Sequence, residues 1–394
     1  MLSLKIIFWI SVGLILYSYF GYAIIITLFN ALGRSLAPSS FAITNDFEPD
    51  VTLLIAAYNE AECIELKIEN CLRMNYPSDK TKIIIITDGS NDESVNIIKR
   101  FPTIRLLHQP TRLGKTAAIN RAMEYVQTPI VIFSDANTLL NSDAVTKIVR
   151  HYSDPKVGAV AGEKKLSMMP DDTVSSVGEG TYWKYESWLK RTDSKFYSVI
   201  GAAGELFSIR TSLFEPISND IILDDFIIST SIIIHGFRCI YEPEAFATEL
   251  PSLNLKEEQK RKIRIGAGAF QALGIIGSKI NPLKFPRAAI LYFSHRVARW
   301  VVCPACLITA FCLNIIIVSA SDSKFYLIAL VSQIVFYLFA ILGFLFQFKG
   351  MRYKVFYLPQ YFVFMNINTT RGFVHFLKKK QTVKWDRSLR KQLA

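Results

Sequence analysis

Two clusters of side-chain oxygens each follow a short apolar, β-branched run of the chain. Asp88-Gly-Ser-Asn-Asp92 follows Lys82–Thr87, and Asp135-Ala-Asn137 follows Pro129–Ser134. Carboxylates accept hydrogen bonds from hydroxyl groups such as those of a ribose. An Asp-x-Asn pair offers hard oxygen ligands to a Mg²⁺ or Mn²⁺ ion on a diphosphate. Because such residues also cap helices and close turns, each motif alone leaves that alternative open, and for Asp92 we expect a capping role in either case.

A further pair of acids, Asp224-Asp225, stands between the apolar Ile221-Ile222-Leu223 and a predicted helix at Phe226–His235. One of the two is a candidate general base for a substrate hydroxyl, and the other is a candidate cap of the helix. Taken in isolation, capping is the more common role for such acids. His235 lies on the apolar stretch Ser231–Gly236, so we predict a packed histidine and not a catalytic one.

The segment Leu113-Gly114-Lys115-Thr116 has the end of a Walker A motif but not its beginning. That motif needs a glycine five positions before Gly114, where Gln109 stands, so a P-loop ATPase is disfavoured. Lys115 remains a candidate phosphate contact at a helix N-terminus. The sequence has no G-x-G-x-x-G motif, which removes nicotinamide and flavin binding as serious options.

The elements that must position these residues alternate between strand and helix. Short apolar runs bounded by polar turns predict buried parallel strands, at Val51–Ala56, Lys82–Thr87, Ile104–His108, Ile130–Ser134 and Val157–Ala161. Helices are predicted at Glu60–Arg73, Glu93–Arg100, Lys115–Val126 and Ser142–Tyr152. This alternation predicts a doubly wound, mostly parallel sheet, in which ligands bind outside the carboxyl ends of the strands. Tyr58-Asn59-Glu60, Asp88 and Asp135 should therefore meet in one crevice.

The regular pattern ends after the fifth strand. A helix rich in tryptophan and tyrosine is followed by a Gly/Ala turn at Gly201–Gly204 and a strand-like Leu206–Arg210. Trp183 and Trp188 on that helix could form a platform for a sugar, although core packing is the commoner use of such a stripe. The cysteines are scattered without metal-ligand spacing, and Cys303-Pro-Ala-Cys306 suits helix packing better than redox chemistry, so we predict a reducing compartment.

Composition predicts a membrane protein. Of the 394 residues 51% are hydrophobic, and Ile6–Leu32 is longer than the roughly 20 residues that cross a bilayer. We expect an uncleaved anchor there, and two further spans at Trp300–Ala320 and Phe325–Phe348. Tyr353–Leu377 contains polar residues that are costly in lipid and has basic residues on both sides, which favours a re-entrant or interfacial helix.

The remaining segments are basic. The formal net charge is +12, and residues 255–299 are cationic and amphipathic, as suits the surface of an anionic membrane. No nucleic-acid partner is expected. We predict an anchor (1–35), an α/β domain (48–254), amphipathic interfacial helices (255–299), a membrane region (300–377) and a basic cytoplasmic tail (378–394).

Together, these motifs resemble those of family-2 membrane glycosyltransferases. The matching residues are, in chain order, Tyr58-Asn59-Glu60, Asp88-Gly-Ser-x-Asp92, Gly114-Lys115, Asp135-Ala-Asn137, Gly201–Glu205, Leu223-Asp224-Asp225 and Arg261–Arg264. The resemblance runs from Val51 to about Arg390. Similar proteins are synthases of bacterial exopolysaccharide, capsule and nodulation-factor type, with hyaluronan and cellulose synthases as more distant relatives.

This resemblance implies a GT-A fold and an inverting transfer from a nucleotide sugar, usually a UDP-sugar, to an acceptor hydroxyl. It implies that Asp225 is the catalytic base and that Asp135 and Asn137 hold Mg²⁺ or Mn²⁺. The predicted substrate-binding residues are Tyr58, Asn59, Glu60, Asp88, Lys115, Ser134, Asp135, Asp224, Arg261 and Arg264. The acceptor would be lipid-linked or an oligosaccharide, and the protein a multi-pass protein of the inner (plasma) membrane with its catalytic domain in the cytoplasm.

Three departures from the family pattern bear on the chemistry. The metal motif usually reads Asp-x-Asp, whereas Asn137 takes the second place here, and Leu-Asp-Asp replaces Thr-Glu-Asp around the retained base. Polymerising members carry Gln-x-x-Arg-Trp where this chain has Arg261-Lys-Ile-Arg264-Ile265, which favours transfer of one or a few sugars. A second, partial match, Arg296-Val-Ala-Arg299-Trp300, falls where the second span was expected to begin.

Two alternatives stay open at this point. A polyprenyl-phosphate glycosyltransferase would use a phosphate acceptor and need no general base. A membrane protein that binds nucleotide sugars without catalysis would carry the same acids.

The tail segment Trp385-Asp-Arg387-Ser-Leu-Arg390 resembles a family motif whose arginine contacts the diphosphate.

Overall fold

In the computed structural model, the residues described are 1–36, 47–167, 174–250, 255–348, 353–379 and 383. The strands are β1 (Val51–Ala57), β2 (Thr81–Asp88), β3 (Arg105–Gln109), β4 (Ile130–Asp135), β5 (Thr138–Leu140), β6 (Val157–Leu166), β7 (Leu206–Arg210) and β8 (Arg238–Glu249). The helices are α1 (Leu2–Leu16), α2 (Tyr22–Leu36), α3 (Ile64–Leu72), α4 (Ser94–Lys99), α5 (Lys115–Met123), α6 (Ala144–Val149), α7 (Val174–Phe196), α8 (Asp224–Ile234), α9 (Leu255–Gly277), α10 (Pro286–Leu291), α11 (Cys303–Ser319), α12 (Lys324–Phe348) and α13 (Tyr357–Leu377).

The strands form one mixed sheet of eight strands in the order β3-β2-β1-β4-β7-β6-β8-β5. β1 pairs in parallel with β2 and β4, and β2 pairs in parallel with β3. β7 lies antiparallel between β4 and β6. The predicted mostly parallel α/β sheet is therefore confirmed, as is the strand at Leu206–Arg210. β5 and β8 were missed, because β5 is three residues long and β8 is interrupted by Pro243 and charged residues.

The central strands are buried on both faces, which explains their continuous apolar sequences. In β1, Leu53 and Ile55 pack on the side of α3 and α6, whereas Leu54 packs on the side of α5, α8 and α9. This two-residue alternation is the geometry of a pleated strand. Each fully buried Leu or Ile side chain stabilises the fold by about 1.5–3 kcal/mol. The sheet edge that carries the polar motifs is thus held by a core on each side.

Three helices among the described residues are long and apolar enough to cross a membrane: Leu2–Gly33, Pro286–Ser319 and Lys324–Gln347. The first joins α1 and α2 through a π-helical segment, Tyr17–Gly21, and the second joins α10 and α11 through another, Tyr292–Val302. The boundary predicted at Trp300 therefore falls inside a continuous helix. The basic residues before Trp300 misled the prediction because the fold buries several of them.

Buried charges on the second apolar helix are paired with α7. His295 Nδ1 lies 2.6 Å from Asp193 Oδ2, and Asp193 Oδ1 accepts a hydrogen bond from the Tyr22 hydroxyl at 2.5 Å. Arg299 forms an ion pair with Glu186. Pairing of this kind offsets the desolvation of each charge. It also ties α7 to both apolar helices that flank it.

The helix α13 packs along α9 and is not among the helices long and apolar enough to cross a membrane in the described part of the chain. Gly372 lies so close to α9 that a Cβ atom there would be 2.7 Å from the carbonyl carbon of Gly266. Small residues permit this close approach of two helices. The re-entrant or interfacial helix expected at 353–377 stays a prediction.

Candidate active site

A cavity of about 350 Å³ opens at the carboxyl ends of β1 and β4. Its strand-end wall comprises Ala56, Glu60, Lys115, Asp135 and Asn137. Its opposite side, here called the α7 wall, comprises Tyr182, Trp183, Glu186 and Lys190 together with Arg296 and Trp300 of the second apolar helix. Asp224 and Asp225 also line the cavity, so the acids of two distant motifs share one space.

Lys115 links the acids of the cavity. Its Nζ lies 2.8 Å from Asp135 Oδ1 and 3.8 Å from Asp224 Oδ2. Burial alone would lower the pKa of Lys115, but the carboxylates of Asp135, Asp224 and Asp225 outweigh it and raise that pKa. The lysine therefore stays charged and is positioned to hold a phosphate at the start of α5.

Asp224 and Asp225 form the first turn of α8, and its N-cap residue is Leu223, which makes no side-chain cap. Burial raises the pKa of Asp225 to about 7, assisted by the charges of Asp224 and Glu205 and opposed by Lys115 and by the Phe226 N–H. Burial also raises the pKa of Asp224, against the effect of Lys115. A carboxylate with a pKa near neutrality is suited to accept a proton from a hydroxyl.

A glycine-rich turn lies against these groups. Gly201 has φ +81°, and a Cβ there would be 2.2 Å from the Phe226 ring. A Cβ on Gly204 would be 3.1 Å from Asp225 Oδ2 and 3.4 Å from Lys115 Nζ. Only glycine tolerates this conformation and this closeness without displacement. The Gly/Ala turn seen in the sequence thus forms the part of the cavity wall beside the Asp225 carboxylate.

Asp88 lies at the end of β2 but is only 1% exposed and is not on the cavity wall. Its Oδ1 accepts the Leu113 N–H at 2.8 Å, and its Oδ2 accepts the Gly114 N–H at 2.7 Å. The capping alternative is therefore wrong for Asp88. In this structure the carboxylate fixes the turn that delivers Lys115, and its contact with a nucleoside stays a prediction.

The segment after β1 is tied to the segment after β2. Asn59 has φ +53° and exchanges two hydrogen bonds with Asn91, at 2.8 and 2.9 Å. Asp92 accepts the Ala61 N–H through Oδ2 and the Ser94 N–H through Oδ1, each at 3.0 Å. Ser94 is the first residue of α4 and Glu93 is its N-cap residue, so Asp92 accepts the first helical N–H from the position before the cap and does not occupy the cap itself.

Of the Tyr58-Asn59-Glu60 motif, only Glu60 lines the cavity. Its Oε2 accepts the Cys63 thiol at 3.1 Å. The Tyr58 ring carries the Arg112 guanidinium 3.7 Å from its centroid. Tyr58 and Asn59 therefore lie beside the strand-end wall, and their predicted substrate contacts stay predictions.

Ser134 does not reach the cavity wall and is 4% exposed. Its hydroxyl accepts a hydrogen bond from Lys67 Nζ at 2.7 Å and donates one to the Glu205 carbonyl at 3.0 Å. Lys67 also donates to the Thr138 carbonyl at 2.8 Å. In this structure Ser134 lies behind the cavity wall, and its predicted substrate contact stays a prediction. Lys67, which the sequence analysis missed, instead clamps both ends of the Asp135-Ala-Asn137 turn.

Arg261 and Arg264 both line the cavity, as does Ile265. Arg261 Nη2 lies 3.1 Å from Glu258 Oε2, on the same helix. Burial lowers the pKa of Arg264, although the charges of Asp224, Asp135 and Asp225 oppose that effect. The structure therefore brings the predicted arginines to the same space as the predicted acids.

The α7 wall contains residues that the sequence analysis did not single out for a site. Lys190 has no motif around it, and Lys164, paired with Glu205 and Glu249, also lines the cavity. Arg296 and Trp300 had one signal, the partial Arg-x-x-Arg-Trp match. That match was set aside because it lay at an expected membrane boundary.

Two side chains differ from expectation. His235 follows the end of α8, and its side chain is 47% exposed with Nε2 3.6 Å from Glu215 Oε1, so the prediction of packing was wrong. The helix stops one residue before the histidine, which leaves it outside the apolar face. On α7, Trp183 lines the cavity whereas Trp188 is 44% exposed, so only the first could contact a substrate there.

The oxygen donors of the strand-end wall fit a divalent ion bound together with a diphosphate. Asp135 and Asn137 supply two oxygen-bearing side chains, and Asp224 Oδ2 is buried without a hydrogen-bond partner among the described residues. In that same part of the chain, no group of three or more His, Cys, Asp or Glu residues could hold a metal by itself. Mg²⁺ characteristically binds through few protein carboxylates plus substrate phosphates.

The carboxy-terminal segment approaches the site at one described position. A Cβ on Gly114 would be 2.9 Å from Val383 Cγ1, and Val383 lines the cavity. The motif from Trp385 to Arg390 lies outside the described residues.

Comparison with known proteins identifies a matching family model and several similar proteins. Residues 52–217 match the family model described as "Glycosyl transferase family 2". The poly-beta-1,6-N-acetyl-D-glucosamine synthase of Staphylococcus aureus strain COL is 27% identical over 262 residues, which are 64% of this chain and 62% of that protein. The synthase of the same name from Staphylococcus epidermidis is 25% identical over 233 residues, 57% of this chain and 55% of its own. The chain thus spans less than two thirds of the length of these relatives.

Among solved structures, the mannosyltransferase PcManGT from Pyrobaculum calidifontis, in complex with GDP-Man and Mn²⁺, superposes with a TM-score of 0.71 at 22% identity. The match covers 95% of this chain and 100% of that one. The likeness shows a GT-A fold. Residues 52–217 thus form a domain of glycosyltransferase family 2, similar to the synthases named above, and the predicted family resemblance and GT-A fold are confirmed.

Proposed function

We propose that this protein transfers a sugar from a nucleotide sugar, a UDP-sugar, to a hydroxyl of a lipid-linked or saccharide acceptor, with inversion, in cell-surface polysaccharide synthesis. One observation carries the proposal: Asp225 and the Lys115–Asp135 pair line a single cavity on a family-2 domain. A proton acceptor and a site for an anionic leaving group are thereby held on the same space, as direct displacement requires.

Asp225 is the proposed base. Its carboxylate lies beside the Gly204 backbone, and its pKa is raised to about 7 by burial. It removes the proton of the acceptor hydroxyl, whose oxygen attacks the anomeric carbon while the nucleoside diphosphate departs with the electrons of the broken glycosidic bond. The proton stays on the Asp225 carboxyl until it passes to solvent.

Lys115 and Arg264 face the departing diphosphate in this proposal, with Arg261 beside them. Preorganised cations stabilise the additional negative charge that develops on the leaving diphosphate more than they stabilise the less charged ground state. Asp135 and Asn137 would hold Mg²⁺ or Mn²⁺, which supplies further positive charge at the diphosphate when bound. The neighbour solved with GDP-Man and Mn²⁺ supports this choice of metal.

The membrane helices support an acceptor at the bilayer surface. Arg296 and Trp300 of the second apolar helix line the cavity directly, so the cavity and the membrane region share residues. We propose that the domain lies on the cytoplasmic side of the inner membrane, with α9 and α13 along its surface.

Transfer of one or a few sugars, and not of long chains, also belongs to this proposal. Position 265 lines the cavity with isoleucine where polymerising relatives carry tryptophan, so the flat stacking surface for a growing chain is missing at that position. The relatives named as synthases of poly-beta-1,6-N-acetyl-D-glucosamine make polysaccharide synthesis the wider setting.

The test is a donor screen on the purified full chain with Mg²⁺ or Mn²⁺, in which release of nucleoside diphosphate is measured. Asp225→Asn should lower turnover by about 10²–10⁴-fold while donor binding persists. The matched control is Asp220→Asn, an exposed acid five residues earlier, which should leave turnover unchanged.

Each other outcome has a meaning. Full turnover in Asp225→Asn would point to a phosphate acceptor, which needs no base. Donor binding without diphosphate release for any sugar would indicate a protein that binds nucleotide sugars without catalysis.

A further inference from the structure

Lys190 is a buried lysine whose side chain has no polar partner in the part of the chain that the structure describes. It is 5% exposed and projects from α7 into the cavity. Among the described residues, its Nζ makes no hydrogen bond and no ion pair within 4.0 Å; its contacts are with the ring centroids of Trp183 at 5.3 Å and Tyr241 at 5.8 Å. A buried ammonium without a hydrogen-bonded partner is costly.

The other lysines of the cavity are satisfied. Lys115 is paired with Asp135, and Lys164 with Glu205. Burial lowers the pKa of Lys190 and Arg296 adds to this effect, whereas the carboxylates of Glu163, Glu186 and Glu205 oppose it without forming an ion pair within 4.0 Å. A ligand with negative charge would remove the penalty that the fold leaves at this one position.

Two further lysines lie at the aromatic ring that Lys190 contacts, and each is paired with a carboxylate: Lys164 with Glu205, and Lys262 with Glu258. Lys164 Nζ lies 5.5 Å and Lys262 Nζ 6.0 Å from the centroid of the same Trp183 ring. Glu186, the acid of the α7 wall, is engaged by Arg299. Lys190 is therefore the cation of this wall that is left without an ion pair among the described residues, and it lies next to an aromatic surface, a combination that suits a sugar bearing an anionic group.

Glu163 is the carboxylate of the protein that could pair with Lys190 in place of an anionic ligand. Its Oε1 accepts the Ser187 hydroxyl at 2.6 Å, and its Oε2 is buried without a hydrogen-bond partner among the described residues. Burial raises the pKa of Glu163, so its carboxyl group is protonated more easily and neutralises a nearby cation less effectively. The two groups stay more than 4.0 Å apart, so no ion pair closes the site from within.

We propose that the α7 wall binds an oxyanion of the acceptor, a phosphate or a carboxylate, and that Lys190 is its principal ligand. The inference rests on the proposed function, because it assigns this wall to the acceptor. It makes the substrate an anionic lipid-linked or acidic saccharide, with its charged group on the α7 side of Asp225 and its reacting hydroxyl towards the strand-end wall.

Two soluble probes distinguish the possible sources of the oxyanion: butyl phosphate stands for a lipid phosphate, and methyl glucuronoside for an acidic sugar. Methyl glucoside is the neutral control. Binding is measured by ligand-observed NMR on the detergent-solubilised full chain, with UDP and Mg²⁺ present in excess so that the strand-end wall is occupied. Lys190→Met should weaken binding of the preferred probe at least about tenfold, and Lys190→Arg should retain it within about threefold.

Lys195→Met is the matched control, since this lysine is on the same helix and exposed. It should leave binding unchanged. Thermal unfolding of each variant establishes that a loss of binding is not a loss of fold. Donor turnover without added acceptor, measured on the unaltered chain and on Lys195→Met, should be the same in both, so failure of the proposed function is detected separately.

Binding of butyl phosphate alone assigns the site to a phosphate, and binding of methyl glucuronoside alone assigns it to a carboxylate. The inference is overturned if neither probe binds, or if both bind equally to Lys190→Met. A third result would also overturn it. If probe binding is unchanged in Lys190→Met and the combined effect of Glu163→Gln and Lys190→Met on the free energy of unfolding is not the sum of their single effects, Lys190 is only a structural partner of Glu163.

Discussion

The two sides of the cavity are built by different means. The strand-end wall takes its polar groups from the ends of adjacent parallel strands, and its lysine is neutralised by carboxylates within the protein. The α7 wall takes its groups from helices that are about 100 residues apart in sequence, and it leaves Lys190 without a polar partner among the described residues. A balanced wall suits a reaction centre common to a family, whereas an unbalanced one suits recognition of a particular substrate.

The difference follows from how each wall is held. Strand ends are fixed by the backbone hydrogen bonds of the sheet, so the spacing of Ala56 and Asp135, which are register partners, is set by the fold. The α7 wall is held by side-chain pairs such as Glu186–Arg299. Such pairs can change without loss of the sheet. Substrate specificity can therefore vary on one wall while the chemistry stays constant on the other.

After the loss of Asp225, the largest effect should come from the lysine of the strand-end wall. Lys115→Met removes the cation that faces the leaving diphosphate, and turnover should fall by about 10²–10³-fold. Lys99→Met, an exposed lysine of α4, is the control. Assays of diphosphate release at saturating donor give the comparison. Unchanged turnover in Lys115→Met would remove the role assigned to this wall.

Acid should inactivate the reaction through Asp225. Its carboxylate must be ionised to accept a proton, and its pKa is raised to about 7 by burial and by Asp224 and Glu205, against Lys115 and the Phe226 N–H, with Arg264 also nearby. Turnover should therefore fall about tenfold per pH unit below about pH 7 and level off above it. Donor binding measured over the same range is the control. A flat rate down to pH 5 would contradict the assignment.

Loss of the Lys67 side chain, which holds the Asp135-Ala-Asn137 turn, should have an intermediate effect. Lys67→Met removes the hydrogen bonds to Ser134 and Thr138, so the oxygens of Asp135 and Asn137 lose their fixed spacing. The Mn²⁺ concentration that gives half-maximal diphosphate release should rise about tenfold. Glu69→Gln, on the exposed face of the same helix, should leave it unchanged. Equal metal requirements in both variants would show that Lys67 only supports the fold.

The smallest effect should come from the aromatic group of the α7 wall. Trp183→Ala should raise the KM for acceptor about two- to tenfold through loss of an aromatic contact, and leave the KM for donor unchanged. Trp188→Ala, whose side chain is 44% exposed, is the matched control. A change in donor KM, with acceptor KM constant, would reverse the assignment of the two walls.

Much of the fold was predictable because local patterns carried it. The apolar runs before Asp88 and Asp135 predicted two strands whose ends fall at those residues, since strands buried on both faces have continuous apolar sequences. The short β5 and the polar β8 escaped because neither has such a run. The continuous helix from Pro286 escaped because its buried charges read as surface residues.

Residue types and their order determined the family, the strand-end acids and the membrane character of this protein, because each depends on short-range periodicity or on motifs a few residues long. Only the tertiary structure decided that Asp88 binds the backbone before Lys115 and that Ser134 lies beneath the cavity. It alone decided that Lys190 faces the cavity without a polar partner among the described residues. These contacts join side chains that are far apart in sequence, so neither their burial nor their pairing can be predicted from a short stretch of residues.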